Sequence, residues 1–219
     1  MFKLLAKLTL AATALSLSAS PLAAQDKGKI NSQMPALTHR APAEIANDPS
    51  NHLYLTLDNG GTVEILLRPD AAPNHVHRIQ TLASAGFYDG IIFHRVIPGF
   101  MAQGGDPTGT GTGGSTFPDL EAEFNRLPHL RGVVAMARAQ EENSANSQFY
   151  IMFSPRFRLD EDYTVVGRVV AGMDVVDRIN PGEPPVQPTK IVSARIGGPV
   201  PPAPLAIAAP EAVDPDEEG

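Results

Sequence analysis

The side chains best placed to do chemistry fall in residues 93–106, Phe-His-Arg-Val-Ile-Pro-Gly-Phe-Met-Ala-Gln-Gly-Gly-Asp. Here a guanidinium, Arg95, shortly precedes an aromatic–thioether pair, Phe100 and Met101, and the amide of Gln103. A rigid, permanently charged donor beside apolar side chains can stabilise charge that develops on a carbonyl oxygen or an amide nitrogen. Other constellations are weaker. Residues 104–114 are rich in Gly and Thr but lack the Gly-Lys-Ser/Thr ending of a phosphate cradle, and read as a mobile surface loop. His75 and His77 would not share a helix face, so they read as solvent-exposed rather than as metal ligands. Ser144 and Ser147 sit in no Gly-x-Ser-x-Gly elbow. The chain has no Cys, which excludes disulfides and thiol catalysis. No metal and no cofactor is expected. Taken alone, Arg95 reads as an ion-pair residue, Phe100 and Met101 as core, and Gln103 and Gln148 as satisfied amides. The residue types therefore leave structural and catalytic readings both open.

The elements that must carry these residues are mostly strands. Leu53, Leu55 and Leu57 alternate with polar neighbours, Asp58-Asn59-Gly60-Gly61 makes a turn, and Val63, Ile65 and Leu67 alternate again, which predicts a hairpin. A helix follows, with Pro73 in its first turn, Val76, Ile79, Leu82 and Ala83 on one face, and Gly86 as its cap. Short β-like runs cover residues 91–96, 133–137, 149–153 and 164–170, and residues 173–179 make a second helix. Many short strands with few helices suggest a mainly β fold closed into a barrel, because closure removes exposed edges.

The two ends differ from this middle. Lys3 and Lys7 precede an uncharged apolar stretch, residues 8–19, and small residues lead to Leu22-Ala23-Ala24. This is the pattern of a signal peptide over residues 1–24, and the apolar run is shorter than the ~20 residues of a membrane-spanning helix. Residues 25–50, broken by Pro35, Pro42 and Pro49, read as a flexible leader. Residues 198–219, rich in Pro, Ala and acids, read as a disordered tail. The folded domain is then 51–197. The expectation is export, to the periplasm where the source has two membranes and to the exterior otherwise. Of 219 residues the formal net charge is −7, which gives no electrostatic support to a nucleic-acid partner.

Residues 93–106 resemble the signature block of the cyclophilin family of peptidyl-prolyl cis/trans isomerases. Further blocks follow in family order: Gly-Val-Val-Ala-Met-Ala at 132–137, Asn-Ser-Gln-Phe-Tyr-Ile at 146–151, and Leu159-Asp160 with Tyr-Thr-Val-Val-Gly at 163–167. The resemblance implies a closed eight-stranded antiparallel barrel capped by two helices that binds X-Pro segments. The expectation is a monomer acting on proline-containing unfolded or loop segments of proteins, with no membrane association after signal cleavage. It makes Arg95 and Gln103 the catalytic pair. Phe100, Met101, Tyr150 and Leu159 become the walls of a proline pocket. Gln148, Tyr163 and the backbone at Ala137 and Arg138 become further substrate contacts. Three positions depart from the family pattern: Arg138 stands where Asn is common, Arg158 where many members carry Trp, and Tyr163 where many carry His.

Overall fold

The computed structural model describes residues 38–204. The expected signal peptide, the first part of the leader and most of the C-terminal tail lie outside the described residues. The predicted hairpin forms: β1 (His52–Leu57) pairs with β2 (Gly61–Leu67) in register Leu57↔Gly61, and Gly60 takes the positive φ of 87° that the turn requires. Within residues 25–50 the proline-broken sequence shows no period, yet Ala43–Asn47 form a short helix, α1. Contacts with the domain order it: Asn51 Nδ2 donates to Ile45 O (3.1 Å), and His52 Nε2 lies 2.9 Å from Ala46 O.

Helix α2 (Pro73–Ser84) buries Val76, Ile79, Leu82 and Ala83 as their spacing predicts. It ends where Phe87 N donates back to Leu82 O (2.9 Å) across Gly86, at φ 73°. Its start corrects the reading of His75. That side chain is fully buried, because Glu123 reaches in from a distant loop to accept from Asn74 N, His75 N (both 3.0 Å) and His75 Nδ1 (2.6 Å). A carboxylate suits the positive end of a helix, and it supplies the cap that Ala72 lacks. The second predicted helix is real but shorter, α3 (Met173–Asp177).

The remaining strands are β3 (Arg95–Ile97), β4 (Met101–Gly104), β5 (Val133–Met136), β6 (Phe149–Met152), β7 (Val165–Ala171) and β8 (Ile191–Ile196). They form one antiparallel sheet in the order β3-β4-β6-β5-β7-β2-β1-β8. The expected closed barrel is not formed, since β3 and β8 are edges with no ladder between them. The reason lies in β3. It has only three residues, and its free side pairs with Gly182 of a loop, Val96 N donating to Gly182 O (2.8 Å) and Gly182 N to Val96 O (2.9 Å). The seam is joined only at its margin, where Phe93 N donates to Thr189 O and Ile191 N to Ile91 O (both 2.9 Å).

Burial on both faces explains the unbroken apolar runs of β5 and β6. Val134, Met136, Phe149 and Ile151 enter the main core with α2 and α3, while Val133, Ala135, Tyr150 and Met152 enter a second cluster on the opposite face. Phe100, Ala137, Leu159 and Tyr163 pack against that second cluster.

Candidate active site

Strand register builds the site. Arg95 pairs with Gln103 across β3–β4, Gln103 with Tyr150 across β4–β6, and Tyr150 with Ala135 across β6–β5. Residues far apart in sequence thereby stand in one row. A cavity of about 150 Å³ opens over that row, lined by Arg95, Phe100, Met101, Gln103, Ala137, Arg138, Tyr150, Leu159 and Tyr163. Nine of the ten residues singled out from the sequence therefore meet at one place. Gln148 does not line this cavity. It stands behind Gln103, whose Nε2 donates to Gln148 Oε1 (2.9 Å), and it lines an adjoining hollow of about 460 Å³ with residues 111–115.

The polar flank is a relay of side chains held by loops. Gln148 Nε2 donates to Gly113 O (2.8 Å) and Gly111 O (3.1 Å). The Gly- and Thr-rich loop carrying those carbonyls is organised by the buried Asp106, whose carboxylate accepts from Thr108 N (2.7 Å), Thr108 Oγ1 (2.8 Å), Gly111 N (2.6 Å) and Gly113 N (3.2 Å). Burial alone would raise the Asp106 pKa, but these bonds outweigh it and bring it down to about 2. The loop read as mobile thus has a fixed internal frame. At the outer end, Arg95 Nε donates to Glu183 Oε2 (2.8 Å), and the Arg95 side chain keeps 42 % of its exposure.

The apolar flank is a ring cluster. Tyr150 stacks on His129 (6.2 Å between centroids, 19°) and meets Tyr163 edge-on (5.9 Å, 82°). His129 is fully buried, and its N and Nδ1 both donate to Asp160 Oδ1 (2.8 and 2.9 Å). Burial outweighs the pull of Asp160 and lowers the His129 pKa, so the ring is neutral. With Nδ1–H held by the carboxylate, Nε2 accepts from the Tyr150 hydroxyl at 3.1 Å. Burial pushes the Tyr150 pKa up, which keeps that hydroxyl a donor. Asp160 follows Leu159 directly, so the same carboxylate also anchors a wall residue. Arg138 covers the rim: its guanidinium lies 4.8 Å from the Tyr163 ring centroid and donates to Asp162 O, Ala139 O and Gln140 O. Arg156 lies 5.4 Å above the Phe100 ring, and Arg158 is exposed.

His129, Asp160 and Glu183 were not legible as site residues. Asp160 stood out only as a member of a family block, and nothing local distinguishes His129 or Glu183; only the approach in space of segments far apart in sequence does. Among the described residues no group of three His, Asp or Glu is placed to hold a metal ion, and no helix is long and apolar enough to cross a membrane.

Residues 52–196 match the family described as cyclophilin type peptidyl-prolyl cis-trans isomerase/CLD. A probable peptidyl-prolyl cis-trans isomerase of Brucella suis biovar 1 (strain 1330) is 50 % identical over 167 residues, covering 69 % of this chain and 85 % of that one. Peptidyl-prolyl cis-trans isomerase B of Bacillus subtilis (strain 168) is 42 % identical over 131 residues, 59 % of this chain and 91 % of its own. Among solved structures, the cyclophilin AquaCyp293 from Hirschia baltica superposes with a TM-score of 0.64 at 32 % identity, covering 68 % of this chain and 74 % of its own. A Cryptosporidium parvum cyclophilin type isomerase, crystallised in the presence of the dipeptide Ala-Pro, gives 0.63 at 27 % identity, covering 68 % of this chain and 99 % of its own. With the family match spanning all eight strands, the chain belongs to the cyclophilin-type peptidyl-prolyl cis-trans isomerases.

Proposed function

We propose that this isomerase acts on X-Pro bonds in unfolded or loop segments of exported proteins, with Arg95 as the catalytic donor and the ring-lined cavity as the proline slot. The observation that carries the reading is the cavity itself, in which the half-exposed Arg95 guanidinium and the Gln103 amide stand over an aromatic and aliphatic wall, with Arg138 at its rim. Rotation about a peptide bond meets a barrier of ~18–20 kcal/mol, because the C–N bond is partly double. X-Pro bonds exchange over tens to hundreds of seconds, and turnover in milliseconds asks for roughly 10⁵-fold, or about 7 kcal/mol. No bond is made or broken. As the amide twists, its nitrogen becomes pyramidal and basic, and a guanidinium placed beside it donates to the new lone pair or holds the preceding carbonyl. Guanidinium is too weak an acid to give up its proton, so the assistance is electrostatic. Phe100, Met101, Tyr150 and Leu159 grip the proline ring through apolar contact, and the Gln103 amide holds a substrate carbonyl. That the Cryptosporidium relative was crystallised in the presence of the dipeptide Ala-Pro supports a proline-containing ligand.

The test is NMR exchange between cis and trans X-Pro peptide. Wild type should catalyse exchange, and Arg95→Ala should lose about 10²–10³-fold while still binding peptide. Wild type that binds without accelerating exchange would make the site a proline-binding module. Export rests on residues 1–24 and is tested separately by fractionation and mass measurement. A mature chain starting at Gln25 outside the cytoplasm supports it, and an intact Met1 chain in the cytoplasm refutes it.

A further inference from the structure

We infer that Glu183 is a positioning residue for the isomerase reaction: it fixes the Arg95 guanidinium by its Nε, so that both Nη nitrogens are presented to the substrate. The inference rests on the reading of Arg95 as the catalytic donor and adds to it a residue 88 positions away in sequence.

A long, half-exposed arginine is a poor catalytic tool unless something restricts it. Ordering such a side chain costs rotamer freedom, and a displacement of an ångström at a reacting centre can cost about 10²-fold. Strand β3 fixes only the Arg95 backbone. Among the described residues, the one hydrogen-bond acceptor on its guanidinium is Glu183 Oε2, at 2.8 Å from Nε. The contact leaves the Nη edge for the ligand that enters the cavity.

The loop that offers Glu183 is built for this contact. Gly182 exchanges both backbone hydrogen bonds with Val96, the residue after Arg95, so Glu183 and Arg95 are neighbours by register. Gly182 lies at φ 143°, and a Cβ there would stand 2.5 Å from Pro185 Cα, so no other residue fits without moving the loop. Pro185 is buried, and Asn180 secures both ends of the loop, its N donating to Thr189 Oγ1 (3.1 Å) and its Nδ2 to Gln187 O (2.8 Å). By contrast, both partners of the ion pair are exposed, at 42 % and 51 % for the two side chains. A pair so placed adds little to folding stability, which leaves positioning as its consequence. Glu183 also partly neutralises the guanidinium, and this would act in the opposite direction, weakening the field at the amide. The two roles predict opposite signs.

The experiment compares Glu183→Ala and Glu183→Gln in the full chain, using cis/trans exchange of an X-Pro peptide. Positioning predicts that Glu183→Ala lowers kcat about tenfold with KM and melting temperature unchanged. It predicts that Glu183→Gln, which still offers an oxygen to Nε, recovers most of that loss. The Arg95 Nε–H resonance should be sharp in wild type and exchange-broadened in Glu183→Ala. Turnover that is unchanged or faster in Glu183→Ala overturns the inference, and so does an equal tenfold loss when Glu183→Ala is added to Arg95→Ala. If Arg95→Ala itself keeps full turnover, the catalytic reading of Arg95 fails instead.

Discussion

The two flanks of the cavity are built on opposite principles. Tyr150, on the apolar flank, is 6 % exposed, belongs to a buried cluster and has His129 and Asp160 behind it. On the polar flank, Arg95 has a side chain 42 % exposed and takes its place from Glu183, while Gln103 is held through Gln148 by the Asp106-centred loop. One flank is held by packing that the whole domain enforces. The other is held by hydrogen bonds between side chains and loops and, at its outer end, by one exposed ion pair. Mutations should therefore separate cleanly, with stability and peptide affinity reporting on the ring cluster and kcat on the polar relay.

The largest stability effect should come from Tyr150→Ala. Removing a buried aromatic ring costs ~3–5 kcal/mol, so denaturant unfolding should show a midpoint far below wild type. Arg95→Ala, an exposed side chain, should stay within about 0.5 kcal/mol of wild type in the same assay while losing nearly all turnover. Equal destabilisation by the two changes would erase the distinction between the flanks. His129→Leu comes next. It removes the acceptor of the Tyr150 hydroxyl and one of the two donors to Asp160 Oδ1, the His129 backbone N remaining, and leaving a buried polar group unmatched costs about 1–3 kcal/mol. KM should rise more than kcat falls, because the wall moves and the guanidinium does not; a kcat-only defect would contradict the scheme.

Asp106→Asn probes the far end of the polar relay. It is nearly isosteric, but it turns one acceptor of Gly111 N and Gly113 N into a donor. Those residues carry the carbonyls that hold Gln148, so a kcat loss of about two- to fivefold, roughly 0.4–1 kcal/mol, should reach the site through Gln103. Unchanged kcat would show that Gln148 keeps its place without the loop.

The same division decides what could be read from the sequence. The β1–β2 hairpin and α2 were legible because each has one buried face, so a period of two or of 3.6 is written into their residues. Strands β5 and β6 are buried on both faces; their runs said strand, but not that Tyr150 and Phe149 serve different clusters. The closed barrel failed because whether two edges meet depends on β3 being three residues long and on Gly182 occupying its free side. His75 was misread as exposed because its partner, Glu123, comes from a distant loop. Arg95, Gln103 and the ring residues emerged from the family resemblance, whereas Glu183 and His129 act on the site through contacts that only folding creates.

The smallest effect is a pH dependence, and its sign tests the buried flank. Burial lowers the pKa of His129 against Asp160, of His94 against Asp106, and of His77 with help from Arg78. In the unfolded chain these groups take up protons near 6.5, while the folded protein resists until lower pH. The unfolded state thus binds more protons, and stability falls as pH drops below about 6.5. His52 works the other way. Burial lowers its pKa, but Ala46 O and Glu64 overcome this and raise it, so its contribution is present at low pH and lost as pH rises through the raised value. The depressed values of His129, His94 and His77 predict a melting temperature that falls by about a degree or two between pH 7 and 5, with His52 offsetting part of the fall. Asp106 cannot cause that loss: its pKa of about 2 keeps it ionised, and its stabilising effect disappears only as pH falls from about 3.8 toward 2. In His129→Leu the fall between pH 7 and 5 should be shallower than in wild type, since one of the three acid-sensitive groups is gone. A slope identical to wild type would mean that His129 takes up its proton in the folded protein as readily as in the unfolded chain, and the hydrogen bond from the Tyr150 hydroxyl would then have to break within that range.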